Sequence, residues 1–451
     1  MKIIKRVMSL FMLTALISSL AGCNKSSSDS QSLKDNYVNL KGRIITIGVW
    51  SEEAIPNEDT SSILDPYTKR YNEVVLTRWK DAEKKYNCKI QWKVLDIAKL
   101  SEIISGFKAG KSETDIIYLT SGMGILDMIQ NKLLEPLDQY IDYEKGVYAN
   151  EAQKASLWKG RHYGLVQTPV DTSQNLLLYN KTLINKLGFP DPSELQEKNQ
   201  WTWDEFLSIA KKATADTNND GSTDRWGIID MNYTSLYTNF IYSNGGGYIE
   251  ESNSKFAPYL NTPATKEAME FVTDLYNKLK VVYKVDPSSS KSRENAIEIF
   301  DSGKAAFSYS GSVTNKNFEV GMVIWPKGPK ASEYIAFNTP GRFYAVPSCV
   351  DDPKGAAEVL EYIMSVYDSS KKDYIDYEKE VAARTPKDQM HLYQVITSNI
   401  KYSWFTAEPK YTEPLYSIFS SLLNDGKTVD EALKQEKNAI DELINELNKI
   451  D

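Results

Sequence analysis

Oxygen-bearing side chains recur in one short polar stretch, which reads Asp216-Thr217-Asn218-Asn219-Asp220-Gly221-Ser222-Thr223-Asp224. A calcium-binding loop carries oxygen ligands at its first, third, fifth, seventh and ninth positions and a glycine at its sixth, which this stretch matches. Its twelfth position, where a bidentate glutamate is the strongest ligand, is Gly227. Two interpretations stay open. One is an Asx-rich turn that needs no metal; the other is a structural Ca²⁺ site built from Asp216, Asn218, Asp220, Ser222 and Asp224.

Residues that could support catalysis are few. The adjacent acids Glu52 and Glu53 could serve a glycosidase, in which two carboxyl groups about 5–10 Å apart do the work, but adjacent acids are more often solvated charge. The two histidines, His162 and His391, have no further ligand at zinc-binding spacing. Neither a P-loop nor a dinucleotide fingerprint is present. Gly311-Ser312 lacks the second glycine of a nucleophile elbow. We therefore expect no enzymatic activity and no required cofactor.

The length and net charge of the chain indicate what kind of protein it is and which partners it could bind. The chain has 451 residues, which is enough for two domains. Its content of 41% hydrophobic and 25% charged residues is typical of a soluble globular protein. A formal net charge of -8 argues against a nucleic-acid partner, because phosphate binding needs a basic surface. Tyrosine (28) and tryptophan (9) together far outnumber phenylalanine (14), which suits partly polar surfaces such as a sugar-binding cleft.

The N-terminus reads as a targeting segment. Residues 1–22 begin with basic side chains and continue with an apolar run that is too short and wrongly flanked for a transmembrane helix. The run ends Leu20-Ala21-Gly22-Cys23, which resembles a bacterial lipobox. That resemblance implies cleavage before Cys23 and acylation of this residue, and more than one acyl chain gives stable membrane anchoring. Residues 23–42 follow as a flexible, polar tether.

Alternating strand and helix patterns follow the tether. Residues 44–49 and 115–119 are β-rich apolar runs, residues 90–94 alternate apolar and polar, and helical patterns lie between them at 75–86 and 100–107. This order predicts a parallel sheet flanked by helices. Ligands of such sheets bind beyond the carboxyl ends of the strands.

A second ordered group of motifs starts at Trp158. A Gly-x-x-Tyr-Gly hairpin (Gly160–Gly164) is followed by a buried strand ending Tyr179-Asn180-Lys181, and then by Thr202-Trp203-Asp204-Glu205. Thr202 and Glu205 have the spacing of a capping box that would open a helix. These motifs, in this order, resemble the family 1 extracellular solute-binding proteins, the receptors of sugar-importing ABC transporters. Family-like pieces recur across most of the remaining chain, for example at 133–137, 244–248, 300–307 and 322–326.

The resemblance implies an α/β fold with two lobes, of the periplasmic-binding-protein type. Each lobe would be a mostly parallel sheet flanked by helices, and three hinge crossings would join the lobes. Residues 43–138 and 325–368 would form lobe I, and residues 139–324 and 369–451 would form lobe II.

The family's ligand cleft can be carried over by position onto this chain. Sugars offer flat faces to aromatic rings and hydroxyl groups to polar side chains. The nominated ligand-binding residues are Glu52, Glu53, Ser121, Gly122, Asp171, Tyr237, Asn244, Tyr309, Gly311, Arg342, Tyr344 and Trp404.

The resemblance implies that the chain binds a carbohydrate, in particular an oligosaccharide. It also implies a monomer that is lipid-anchored on the extracytoplasmic face of the cell membrane. The closed form would deliver the sugar to the ABC transporter permease. Two alternatives remain: a sensor subunit for a membrane kinase, and a secreted glycan hydrolase or lyase.

Cys88 and Cys349 either form a disulfide with each other or stay as free thiols.

Overall fold

The structure is a computed structural model that describes residues 38–450 except 58, 60–65, 149, 167–175, 287, 310–316, 371–372, 377–378 and 380–389. The predicted leader (1–22), Cys23 and the first part of the predicted tether lie outside the described residues. Among the helices described, none is both long enough and apolar enough to cross a membrane.

Helices and strands alternate along most of the chain. The strands are β1 (Arg43–Val49), β2 (Cys88–Val94), β3 (Ile116–Leu119), β4 (Leu157–Trp158), β5 (Arg161–His162), β6 (Leu176–Asn180), β7 (Trp226–Asp230), β8 (Ile249–Ser252), β9 (Lys255–Pro258), β10 (Val282–Lys284), β11 (Ala305–Ser308), β12 (Val320–Ile324), β13 (Ala336–Asn338), β14 (Phe343–Ala345) and β15 (Ile400–Tyr402). The helices are α1 (Pro66–Tyr86), α2 (Leu100–Lys108), α3 (Ile125–Gln130), α4 (Lys181–Lys186), α5 (Pro192–Glu197), α6 (Trp203–Ala213), α7 (Tyr233–Ser243), α8 (Pro263–Asn277), α9 (Ser290–Asp301), α10 (Pro353–Met364), α11 (Met390–Ser398), α12 (Pro409–Asn424) and α13 (Val429–Lys449).

The first sheet has the strand order β14-β3-β1-β2. β1 pairs in parallel with both β2 and β3, and β14 returns antiparallel to β3. Ile45, Ile47 and Val49 of β1 are completely buried, as an inner strand covered on both faces requires. The strand–helix alternation predicted for residues 44–119 is therefore confirmed, and the carboxyl ends of β1, β2 and β3 lie along one edge.

The second sheet has the strand order β10-β7-β11-β6-β12. β7 pairs in parallel with β10 and β11, whereas β6 pairs antiparallel with β11 and β12. The two sheets flanked by helices confirm the predicted α/β class, and the second sheet is evenly mixed rather than mostly parallel. Its parallel strands are the ones linked by crossover helices, because a parallel pair needs a long crossover connection.

Two helix starts that look alike in the sequence differ in the structure. α13 begins with a complete capping box, in which the Thr428 hydroxyl accepts the Glu431 N–H and the Glu431 carboxylate accepts the Thr428 N–H. α6 begins at Trp203 as predicted, but the Thr202 side chain makes no cap bond. A remote segment also holds this helix start, because the Trp203 N–H donates to the carbonyl of Lys327 at 3.1 Å.

Two sets of backbone contacts lie near the predicted lobe boundaries. Leu165 and Tyr344 exchange backbone hydrogen bonds of 2.8 and 2.9 Å, so the chain is still attached to the first sheet well beyond residue 139. Residues 325–338 pack with the second sheet, because Lys327 bonds to Trp201 and β13 pairs with β15. The chain pairs with the first sheet again at β14, and the predicted lobe boundaries stay a prediction.

Both described cysteines are free. Cys88 is buried beside α1, and Cys349 is partly buried. Burial raises the pKa of the Cys88 thiol to about 11, with the nearby Glu83 adding to the effect. The structure therefore holds the two residues as separate thiols, which was one of the two interpretations left open by the sequence.

Candidate functional site

A polar pocket lies at the carboxyl edge of the second sheet. β7 and β11 are parallel neighbours, so their carboxyl ends share one edge. Beyond β7 the chain continues as Asn232 and α7, and beyond β11 it continues as Tyr309. Asn232 caps α7 by accepting the N–H of Thr234 at 3.1 Å, which fixes the first turn of the helix at the mouth of the pocket.

The pocket encloses about 170 Å³. α12 closes it on one side, and the segments around β13 and the 3-10 turn Trp404–Thr406 close it on another. Its lining residues are Asn232, Thr234, Ser235, Thr238, Asn239, Tyr248, Tyr309, Phe337, Thr339, Thr406, Thr412, Leu415, Tyr416 and Phe419.

None of these lining residues carries a charge. Hydroxyl and amide groups dominate, and several are held in place by their neighbours. Thr339 and Thr406 are joined through their hydroxyl groups at 3.2 Å. Asn239, which is buried, donates its side-chain amide to the carbonyl of Ser235 at 2.9 Å. Such groups can both donate to and accept from an uncharged polar ligand.

Aromatic rings supply the apolar part of the lining. Phe419 stacks on Tyr237 at 4.4 Å and Phe337 stacks on Tyr242 at 4.2 Å, so the ring behind each pocket residue fixes its plane. Tyr416 is 46% exposed, more than is usual for the aromatic residues whose burial the structure describes. An exposed ring beside hydroxyl-bearing side chains can stack on the apolar face of a polar ring.

A buried carboxyl group lies immediately below the pocket. Asp230, the last residue of β7, accepts the Asn232 N–H at 3.0 Å and the hydroxyl of Tyr276. Burial raises the pKa of Asp230 to about 6, and the two hydrogen bonds oppose this only in part. The Asp230 carboxyl group therefore holds the backbone of Asn232, a residue that lines the pocket, through the Asn232 N–H.

The carboxyl edge of the first sheet contacts the same region of the second. The Gly122 N–H, in the loop after β3, donates to the carbonyl of Ala407 at 2.6 Å. The next residue, Glu408, accepts the N–H groups of Gly124 and Ile125 at 3.0 and 2.8 Å. Ala407 directly follows the pocket residue Thr406, so the two sheet edges meet beside the pocket.

Among the predicted ligand-binding residues that the structure describes, Tyr309 alone lines this pocket. Glu52 and Glu53 are exposed in a 3-10 turn after β1, and Ser121 and Gly122 are exposed after β3. They sit at the carboxyl edge of the first sheet, where the strand order predicts a ligand.

Arg342 and Tyr344 lie at the return to the first sheet. Arg342 is exposed and has a positive φ of 62°. Tyr344 is buried, with its ring 4.9 Å from that of Tyr118.

Three predicted ligand-binding residues are buried in the core with partners of their own. Tyr237 is fully buried and shares a 2.8 Å hydrogen bond with the hydroxyl of Thr273. Asn244 is fully buried, and its side-chain amide donates to the carbonyl of Ala264 at 2.9 Å. Trp404 donates its indole N–H to the carbonyl of Leu157 at 2.8 Å. Each of the three side chains is therefore held by a partner within the protein, and a ligand-binding role for them stays a prediction. Asp171 and Gly311 lie outside the described residues.

The acidic stretch from Asp216 to Asp224 forms a self-contained turn. Asp216 accepts the N–H groups of Asn219 and Gly221 at 2.7 and 2.8 Å, and Asp224 accepts the N–H of Thr217 at 3.0 Å. Within the described residues, no group of three or more His, Cys, Asp or Glu side chains is arranged to hold a metal ion. These hydrogen bonds form an Asx-rich turn, and a structural Ca²⁺ site in this stretch stays a prediction.

Most of the residues that line the pocket were not among those predicted from the sequence. We applied the rule that ligands bind beyond the carboxyl ends of parallel strands to the first sheet only. Applied to β7, the same rule would have nominated Asn232 and Ser235. Thr406 and Tyr416 come from the C-terminal region, whose approach to β7 and β11 is not visible in any local pattern.

Solved structures of solute-binding proteins have the same fold. The ABC substrate-binding protein Lmo0181 from Listeria monocytogenes, in complex with cycloalternan, has a TM-score of 0.56 at 16% identity, covering 90% of this chain and 99% of that one. M. tuberculosis UspC has a TM-score of 0.62 at 17% identity, covering 88% and 99%. The GacH receptor of Streptomyces glaucescens, described unliganded and with acarbose, has a TM-score of 0.57 at 16% identity, covering 90% and 99%.

These similarities confirm the predicted fold, and a sequence comparison identifies the family. A model of the bacterial extracellular solute-binding proteins matches residues 64–366, which is about two thirds of the chain. The match confirms the resemblance found in the motifs, and it confirms the prediction that the chain is not an enzyme. The chain belongs to the family of bacterial extracellular solute-binding proteins, whose members bind solutes and catalyse no reaction.

Proposed function

We propose that this chain is the solute-binding subunit of an ABC importer and that its ligand is an uncharged carbohydrate. The observation that carries the proposal is the composition of the pocket at the carboxyl edge of the second sheet. It combines hydroxyl and amide groups with an exposed aromatic ring, and none of the lining residues that the structure describes carries a charge. A phosphorylated or acidic solute would need a cationic partner in such a pocket, because burial of an unpaired charge is costly.

The size of the pocket sets how a sugar would fit. Its volume of about 170 Å³ is below the usual range of roughly 300–1,000 Å³ for ligand pockets. We infer that one sugar ring occupies the pocket and stacks on Tyr416 or Tyr309. The remaining rings of an oligosaccharide would extend between the two sheet edges, where Glu52, Glu53 and Ser121 could accept or donate hydrogen bonds.

The proposed mechanism is closure of two lobes over the sugar. A ligand that contacts both sheet edges only when they approach each other selects the closed arrangement through its differential affinity. The permease would then recognise the closed form. The loaded lobes would act as a monomer, held at the extracytoplasmic face of the membrane by acylation of Cys23.

A binding screen tests the proposed ligand class. Thermal shift over uncharged mono- and oligosaccharides, followed by isothermal titration of each hit, should give at least one saturable ligand. Glucuronic acid and glucosamine 6-phosphate serve as charged controls and should give none. Binding of the charged controls in preference to every neutral sugar would contradict the proposal.

The membrane anchor has its own test. In cells grown with labelled palmitate, the wild-type chain should carry the label and fractionate with the membrane. The Cys23→Ala variant should carry no label and leave the membrane fraction. Labelling of the variant would contradict acylation at Cys23 and would leave the sugar-binding proposal to be decided by the screen.

A further inference from the structure

A buried carboxylate joins two remote parts of the chain. Glu408 is only 6% exposed, and it precedes α12. Its two oxygens accept the N–H groups of Gly124 and Ile125 at 3.0 and 2.8 Å, across 284 and 283 residues of sequence. The carboxylate therefore caps the start of α3 from a different element of the fold.

The local sequence explains why α3 needs this remote partner. Its N-cap residue is Gly124, which has a left-handed conformation with a φ of 71° and no side chain with which to cap the helix. The first N–H groups of a helix have no partner within the helix and must find one elsewhere. A carboxylate is a favourable partner at this end, because the helix dipole adds to the hydrogen bonds.

Two further contacts join the same elements. The Gly122 N–H donates to the carbonyl of Ala407 at 2.6 Å. The Nζ atom of Lys410, two residues beyond Glu408, lies 3.4 Å from a carboxylate oxygen of Asp127 in α3 and 3.1 Å from one of Glu446 in α13. The loop after β3 belongs to the edge of the first sheet, whereas Ala407 and Glu408 adjoin the pocket residues Thr406 and Thr412. The contacts thus connect the two edges between which the proposed ligand would lie.

The buried Glu408 carboxylate strongly favours the arrangement in which the Gly122–Ile125 loop stays in contact with it. Burial raises the pKa of Glu408, and the amides of Gly124 and Ile125 oppose that effect by stabilising the charged form. If the first-sheet loop moved away while Glu408 stayed buried, the carboxylate would lose both partners at a large cost in free energy. Two states therefore compete: one in which Glu408 accepts both N–H groups, and one in which the carboxylate is exposed and bonded to water.

We propose that Glu408 is a latch residue that stabilises the closed arrangement of the two sheet edges and so sets the affinity for ligand from outside the pocket. This inference rests on the proposed closure over a sugar. Glu408 touches no pocket ligand in this scheme; it acts by holding the Gly122–Ile125 loop against the start of α12. Loss of the latch should weaken binding about tenfold, the equivalent of about 1.4 kcal/mol, while the pocket lining stays unchanged.

Hydrogen exchange on the native protein tests the latch without any sugar. The amides of Gly124 and Ile125 should be protected in the wild type and should exchange faster in Glu408→Gln. Glu431→Gln is the matched control, because Glu431 accepts the Thr428 N–H within its own helix cap at 2.9 Å. The control should leave the exchange of Gly124 and Ile125 unchanged. Unprotected wild-type amides would overturn the latch.

Titration with maltotetraose then tests the effect on affinity. Glu408→Gln should bind it about tenfold more weakly than the wild type and should give a larger radius of gyration at equal concentrations of sugar. Equal or tighter binding by the variant would overturn the proposal. If maltotetraose fails to bind even the wild type, that result counts against the sugar ligand, and the latch is decided by hydrogen exchange alone.

Discussion

The buried carboxyl group below the pocket should make the protein less stable as the pH rises from 4 to 7. The pKa of Asp230 is about 6 in the folded chain and near 4 when the chain is unfolded. Between these values the folded state holds the proton more tightly, so the free energy of unfolding falls with increasing pH. The stabilisation is complete below pH 4 and is lost by the time the pH exceeds 6. A difference of about two between the pKa values corresponds to about 3 kcal/mol.

Replacement of Asp230 by asparagine should remove this pH dependence. The amide has almost the same shape, its oxygen can accept the Asn232 N–H, and its NH₂ group can donate to the hydroxyl of Tyr276. Above pH 6.5 the Asp230→Asn variant should therefore be more stable than the wild type, by up to about 3 kcal/mol.

Urea denaturation at several values between pH 4 and pH 8 measures the effect. The difference between wild type and Asp230→Asn should grow as the pH rises and level off above about pH 7. Asp425→Asn, which changes an exposed carboxylate after α12, should run parallel to the wild type at every pH. Parallel profiles for Asp230→Asn and the wild type would refute the reasoning, because they would mean that Asp230 is ionised at little cost.

Three further predictions concern the pocket, the thiols and the acidic turn. Tyr416→Ala and Tyr309→Ala should each weaken the binding of a neutral sugar about tenfold in isothermal titration, as expected for the loss of one stacking ring, and unchanged affinities would place the sugar elsewhere. Cys349 should react with a thiol reagent in the native protein while Cys88, whose pKa is about 11, reacts only after denaturation; equal rates would contradict its burial. Because the Asp216 carboxylate is occupied by backbone amides, chelator and added Ca²⁺ should leave the melting temperature unchanged, and stabilisation by Ca²⁺ would favour the metal-loop interpretation.

Much of the fold follows from local patterns, and less of the site does. The alternation of apolar strands and helical faces between residues 44 and 119 is enough to predict the first sheet, because a parallel sheet flanked by helices imposes that order. The capping box at Thr428 and Glu431 forms as its spacing predicts. At Thr202 the same spacing also precedes a helix, but the Thr202 side chain makes no cap bond and the neighbouring backbone pairs with Lys327. The spacing therefore predicts where the helix starts, but it does not determine whether the cap bonds form.

The pocket was harder to predict because its wall is assembled from distant parts of the chain. Tyr309 follows a strand whose motif is family-like, and it was nominated for that reason. Tyr237 belongs to a similarly recognisable piece, but the stacking on Phe419 buries it. Position within a motif does not determine whether a side chain faces a cleft or the core. Thr406 and Tyr416 become pocket residues only through the packing of α12 against α7.

The most direct test of the central claim is a crystal structure with the best neutral sugar from the binding screen. We expect a sugar ring in the pocket at the carboxyl edge of the second sheet, stacked on Tyr416 or Tyr309 and hydrogen-bonded to Asn232 or Thr406. A sugar bound at another place on the chain, with this pocket unchanged, would contradict it.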